Sequence, residues 1–231
     1  MTFSQSSGSA APRGRFITFE GGEGAGKSTQ IRLLADRLAA VRVRTIVTRE
    51  PGGSPGAEIM RHLVLSGVGK VLGAEAETLL FAAARDDHVH LLIGPSLARG
   101  LWVLCDRFSD STRVYQGSLG KVDPALIDAL DRVTIDALRP DLTLVLDVPA
   151  ETGLARAAKR RGGAAADRFE GEDLGFHRRL REAYLKLVHD NPDRCVLVDS
   201  DADEATVARR VWEVVQARFP QLAPQPEAAS S

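Results

Sequence analysis

The residues best suited to chemistry lie in one stretch, Phe16–Gln30, which reads FITFEGGEGAGKSTQ. Gly21 through Ser28 fit the spacing G-x-x-x-x-G-K-[ST], the way a polypeptide cradles a chain of phosphates. Glycines let the backbone turn its N–H groups inward and approach the phosphate oxygens closely. The helix expected next adds the positive end of its dipole. Lys27 supplies a mobile point charge for the β and γ groups, and the Ser28 hydroxyl oxygen suits Mg²⁺. Gly21, Gly22, Glu23, Gly24, Ala25, Gly26, Lys27, Ser28 and Thr29 are therefore the expected ATP-binding residues.

The next question is where the phosphoryl group goes. A switch GTPase needs D-x-x-G after a strand, and that spacing occurs nowhere in the chain. GKVD (120–123) comes near a guanine-reading motif but starts with Gly and follows no apolar strand. An ATP-driven motor favours an acid pair closing its third strand, whereas LWVLCDRF places Arg107 directly after Asp106. Asp106 joins Ser28 as an expected metal ligand. A hydrolase needs only to position water; a cation at that strand end suits a second phosphorylated substrate. Arg49 closes another strand in TREPGG, and Arg85 follows Phe81 by four residues, on one helix face. Each arginine alone reads equally well as a surface salt bridge. Together they ring the edge where the phosphates must lie.

The elements that position these residues alternate along the chain. Strands are expected at residues 15–20, 42–50, 100–107, 141–148 and 194–200. Helices are expected at 27–41, near 57–65, across 74–99, near 124–138, on both sides of RRGGAAADR, and at about 204–219. Strands that are apolar on both faces need a helical layer on each side. The expected fold is therefore α/β, a three-layer arrangement with a five-stranded parallel sheet and ligands at the carboxyl ends of the strands. With 231 residues and no internal linker, one domain over about 15–220 is expected, with Ser/Gly/Ala/Pro-rich disordered tails at 1–14 and 221–231.

In order, FITFEGGEGAGKSTQ, TREPGG, LLFAAARDDH, DRFSDSTRVYQG, PDLTLVLDV and DRFE resemble bacterial thymidylate kinases from about Arg15 to Val198. The phosphate loop is shared by many P-loop NTPase families; TREPGG combined with DR…ST…YQG is far more specific. The resemblance implies Mg²⁺-dependent transfer of the ATP γ-phosphoryl group to dTMP, giving dTDP, by a homodimer. It implies that Phe81 stacks on thymine, Arg85 meets the carbonyl edge, and Thr112 and Gln116 complete base recognition. Tyr115 would crowd the 2′ position, Arg49 and Arg107 would hold the acceptor phosphate with Arg61 nearby, and Glu23 would meet the 3′-hydroxyl. From the residues alone, Phe81 and Tyr115 read as core aromatics. Phe108 stands where relatives often carry Tyr or His and is expected to pack behind the site. A kinase for another deoxynucleoside monophosphate and a non-catalytic nucleotide switch are the competing readings.

Some relatives carry a transition-state arginine just after Glu23, where this chain has Gly24. The cation must then come from elsewhere. Residues 155–170, ARAAKRRGGAAADRFE, hold a basic helix end with Arg156 and Lys159, a Gly162-Gly163 hinge, and Arg160, Arg161 and Arg168 as candidates for catalysis. This resembles a helical lid that closes over ATP; the bland alternative is a solvated basic helix end favoured by the dipole. The net charge of −1 offers no basic footprint for nucleic acid. Cys105 and Cys195 sit in apolar runs and are expected to be buried and reduced. The five histidines have no metal-ligand spacing. No membrane span or signal-like start is visible, so the expected compartment is the cytosol.

Overall fold

The computed structural model describes residues 13–66, 68–136, 138–162, 169 and 171–222. Five parallel strands, β1 (Phe16–Glu20), β2 (Thr45–Arg49), β3 (Trp102–Asp106), β4 (Leu142–Asp147) and β5 (Cys195–Asp199), form one sheet in the order β2-β3-β1-β4-β5. The phosphate-loop strand is thus central, pairing with β3 from Phe16↔Val103 to Phe19↔Asp106 and with β4 from Ile17↔Leu142 to Glu20↔Val145. β1, β3 and β4 are buried on both faces, as the apolar runs imply. β2 and β5 are edges, and Val47 and Leu197 are exposed, so the expectation of five doubly covered strands holds only for the centre.

One face of the sheet is covered by α1 (Lys27–Ala40) and α9 (Glu204–Arg218), packed around Ile17, Phe19, Leu104, Leu144, Val211 and Val215. The other face carries two apolar clusters. One gathers Phe16, Val103, Cys105 and Phe108 with Ile93 and Leu97; the other gathers Val145 and Cys195 with Leu180 and Tyr184. Both cysteines are buried and unpaired.

Several helices begin where the sequence provides caps. α6 (Pro124–Thr134) starts at Pro124 with the Asp123 side chain accepting from Ala125 N–H. Asp173 and Asp203 cap α8 (Leu174–Asp190) and α9 in the same way. α2 spans Pro55–Leu65. α3 (Val68–His88) is broken at Gly73, whose φ of 84° is left-handed, so the long helix expected from Ala74 does begin there. It continues through a π-helical segment, Val89–Ile93, into α4 (Gly94–Ala98).

Several boundaries differ from expectation. The strand expected at 42–50 is Thr45–Arg49, since Arg42 takes a left-handed φ of 61° in the turn that ends α1. The helix expected through Leu138 ends at Thr134. Short α5 (Ser109–Thr112) and a π-helical segment, Arg113–Leu119, fill a stretch to which the sequence assigned no element. The lid expected at 155–170 begins within α7 (Ala150–Arg161) and runs on to Gly162; Gly163 and Arg168 lie outside the described residues, as do most of both expected tails.

Candidate active site

The phosphate loop leaves β1 at Gly21 and enters α1 through Gly26, whose left-handed φ is 91°. Lys27 is buried and donates to the carbonyls of Gly21 (3.1 Å) and Gly22 (2.9 Å), which folds its side chain back over the loop. Burial, and then the nearby Arg107, hold its ammonium below the usual lysine range, against the opposing pull of Glu23, Asp106 and Glu20. Ser28 Oγ donates to Asp106 Oδ2 at 2.7 Å, so the first turn of α1 and the end of β3 present two hard oxygen donors side by side.

Arg107 follows β3 with a left-handed φ of 67°. Its Nη2 donates to Glu23 Oε1 at 2.7 Å; its Nη1 donates to Gly21 O, Ser111 Oγ and Tyr184 OH at 3.2, 3.3 and 3.1 Å. Burial works against the charge, but Tyr115, Tyr184, Glu23 and Glu20 outweigh it and hold the guanidinium firmly protonated. For Glu23, burial is likewise overcome, here by Arg107, Lys27, Arg160 and His177, and its carboxyl lies below the usual range. The Tyr115 ring lies 5.1 Å from the Arg107 guanidinium, and its hydroxyl approaches Glu23 Oε1 at 3.4 Å.

A cavity of about 380 Å³ opens from this loop toward α3 and α5, within the range of small-ligand pockets. Gly24 through Thr29, Glu23, Asp106 and Arg107 line its phosphate end. Phe81, Arg85, Thr112, Tyr115 and Gln116 line the other end, with Arg49 and Arg61 at the side. Arg160 also lines it. Gly21 and Gly22 line a smaller cavity behind the loop, and Arg161 lines neither of the two. Phe81 is half-buried and belongs to none of the core clusters; Tyr115 is part of the core and of the cavity wall at once.

Arg49 keeps the bland role as well: it is largely exposed and pairs with Glu58 at 3.0 Å. Arg61 donates to Pro51 O at 2.7 Å, beside the cis Glu50–Pro51 peptide. Arg85 is buried, donating through Nε to Glu50 (2.9 Å) and through Nη2 to Thr112 Oγ1 (2.9 Å). Beyond these bonds its five-donor fork has further N–H groups to give. Phe108 is fully buried, edge-on to Phe16 at 4.9 Å, with Arg85 over its ring at 5.4 Å.

Four acids and bases under the site went unread in the sequence. Glu50 and His88 form a buried pair beneath Arg85, with His88 Nδ1 3.1 Å from Glu50 and Nε2 2.7 Å from Thr48 Oγ1. Glu77 on α3 accepts from Gln116 Nε2 at 2.9 Å. Glu20, at the end of β1, is fully buried. Its signal was available: an acid ending an apolar strand directly before the phosphate loop.

A central phosphate-loop strand in a parallel sheet, with a cation-rimmed second compartment facing the loop, defines a P-loop kinase. The family model described as thymidylate kinase matches residues 19–211. A thymidylate kinase of Bradyrhizobium diazoefficiens is 70% identical over 207 residues, covering 90% of this chain and 91% of that protein. One from Nitrobacter winogradskyi is 68% identical over 206 residues, 89% of this chain and 90% of that protein. The crystal structure of thymidylate kinase from Ehrlichia chaffeensis superposes with a TM-score of 0.71 at 33% identity, covering 89% of this chain and all of that one. The chain belongs to the thymidylate kinase family.

Proposed function

We propose that this cavity holds both substrates of a dTMP kinase, and that the chain transfers the γ-phosphoryl group of ATP to dTMP to form dTDP. One observation carries the reading: the phosphate loop and a nucleobase-sized compartment walled by Phe81, Arg85, Thr112, Tyr115 and Gln116 share one cavity, with Arg107 between them. Such transfer needs in-line placement and charge neutralisation rather than covalent chemistry. The loop N–H groups and Lys27 take the donor phosphates. Arg107, with Arg49 and Arg61, takes the acceptor phosphate.

Phe81 stacks on the ring, Arg85 donates to its carbonyl, and Thr112 holds Arg85 in place. A carboxylate only accepts, so Glu77 commits the Gln116 amide nitrogen and leaves the carbonyl oxygen to receive the ring N–H of thymine. The Tyr115 ring closes the space beside the sugar 2′ carbon, and Glu23 exchanges its bond to Arg107 for the 3′-hydroxyl. Ser28 and Asp106 fit Mg²⁺, being adjacent hard oxygen donors at the cavity, and when bound the ion neutralises phosphate charge. Arg160, which lines the cavity from α7, is the lid arginine we assign to the transferring group.

We further assign the chain to a homodimer in the cytoplasm. Val71, Leu72 and Leu79 on α3 and Val133 on α6 are exposed apolar side chains on two helices that pack together, which supports a self-association face. Among the described residues no helix is long and apolar enough to cross a membrane. Sedimentation of the purified chain tests the dimer. The activity is tested by ADP production from ATP and Mg²⁺ with dTMP, dUMP, dCMP or dGMP. Acceptor-dependent ADP with an equal amount of dTDP is expected; acceptor-independent ADP, or preference for another nucleotide, overturns the assignment.

A further inference from the structure

Strand alternation points Phe16, Thr18 and Glu20 to one face of β1, where all three are fully buried. A buried carboxyl is costly unless hydrogen-bonded, and Asp110, a second buried acid, raises the cost. As mere core filling, Glu20 is therefore a poor choice. Its oxygens are nonetheless fully engaged. Oε1 accepts from Phe108 N–H at 2.8 Å; Oε2 accepts from Ser111 Oγ at 2.6 Å and from Tyr184 OH at 2.9 Å.

Those same two hydroxyl oxygens accept from Arg107 Nη1. A hydroxyl has a single hydrogen, so directing it at Glu20 turns the lone pairs toward the guanidinium. The polarity of the chain is then fixed: Arg107 donates, Ser111 and Tyr184 relay, Glu20 accepts. Arg107 also sits at a positive φ that L-residues adopt only when their surroundings enforce it. Glu20 enforces it twice, through the Phe108 N–H that follows and through the guanidinium itself. Glu20 lines neither cavity, and its hydrogen bonds lead to the acceptor side through Arg107, although its charge also acts on Lys27.

We propose that Glu20 is a positioning residue for phosphoryl transfer, holding the Arg107 guanidinium in its acceptor-clamping orientation through the hydroxyls of Ser111 and Tyr184. The inference rests on the acceptor role of Arg107 proposed above.

The test is a double-mutant cycle of Glu20→Gln and Arg107→Ala, reading kcat/KM for dTMP, KM for ATP and the thermal midpoint. Gln keeps the volume but its amide nitrogen donates, competing with Arg107 for the relay oxygens. Glu20→Gln alone should lower kcat/KM for dTMP about tenfold to a hundredfold and leave KM for ATP within about threefold. In the Arg107→Ala background the same change should cost less than about threefold. A full-sized effect in that background, or none in the parent, overturns the positioning role while leaving Arg107 as the clamp. If Arg107→Ala itself leaves kcat/KM unchanged, the acceptor assignment fails and the inference with it. Should Glu20→Gln not fold, Tyr184→Phe removes one relay hydroxyl and enters the same cycle, with a loss of about threefold to tenfold expected only while Arg107 is present.

Discussion

Gly24 of the phosphate loop and Gly153 of α7 meet backbone to backbone. A β-carbon on Gly24 would lie 1.9 Å from the Gly153 carbonyl oxygen, and one on Gly153 would lie 2.4 Å from the Glu23 carbonyl oxygen. With φ at 67°, Gly24 also takes a conformation that L-residues rarely adopt. This contact explains why no arginine follows Glu23: the root of the lid helix occupies the space. Gly153→Ala weighs two opposed effects. Helix propensity favours Ala by about 1 kcal/mol, but the clash is with backbone that cannot swing aside, and overpacking costs about 1–3 kcal/mol. The clash should win. Thermal unfolding should show a lower midpoint, and kcat should fall about tenfold as the loop is displaced; a stabilised, fully active variant would contradict the contact.

With no arginine after Glu23, the lid is the proposed source of the transition-state cation. Arg160 lines the cavity and lowers the Glu23 carboxyl, whereas Arg161, one residue on, lines neither cavity. Arg160→Ala should lower kcat about a hundredfold with KM for dTMP little changed, and Arg161→Ala should stay within about threefold. Steady-state kinetics of the pair, with Arg168→Ala as a third variant, checks the assignment. A larger loss at Arg161 or Arg168 moves the role there.

The phosphate loop was legible because its residues are consecutive and each type has a local reason. The break before Ala74 was legible for the same reason, since Gly73 stops a helix by itself. Strand order was not, because pairing β1 with β3 and β4 is a contact between residues 87 and 125 positions apart. The stretch Ser109–Leu119 lacks a clean 3.6-residue period, being part α and part π, and left no mark. Arg85 and Arg107 could be named as cations, but not their partners. Glu50, Glu77 and Tyr184 reach the site from distant elements and read locally as ordinary polar residues.

Glu77 makes base selection testable. With the Gln116 nitrogen held, the proposed base pose gives thymine a donor from Arg85 and an acceptor from Gln116. Cytosine presents the opposite pattern and leaves both groups unmatched. Glu77→Leu frees the amide to turn over, so the ratio of kcat/KM for dTMP to that for dCMP should fall about tenfold, chiefly through the dTMP term and with some gain for dCMP. Competing-substrate assays read the ratio directly; an unchanged ratio would mean that Gln116 is oriented by something else.

The Glu20 carboxyl is pushed up to about 7 from 4.5, by burial first and by Asp110 second, against Arg107, the Ser111 hydroxyl and the Phe108 N–H. Tyr184 from α8, Lys27 and Tyr115 from the site, Arg194 beside Asp110, and Cys105 and Cys195 on the neighbouring strands also feel it. Between pH 4.5 and 7 the folded chain keeps a proton that the unfolded chain has lost. That contribution therefore favours folding at the acid end of the window and disappears as pH rises through 7, a change on the order of 3 kcal/mol. Urea unfolding of the parent and Glu20→Gln should show the parent's relative stability falling from pH 5 to 8 and flat above. Activity should run the other way, because Glu20 accepts from both relay hydroxyls only as a carboxylate. The parent-to-variant ratio of kcat/KM for dTMP should climb through pH 7, and ionisation of the substrate phosphate cancels in that ratio. A ratio independent of pH from 6 to 8.5 would separate Glu20 from Arg107 and leave its burial without a catalytic reason.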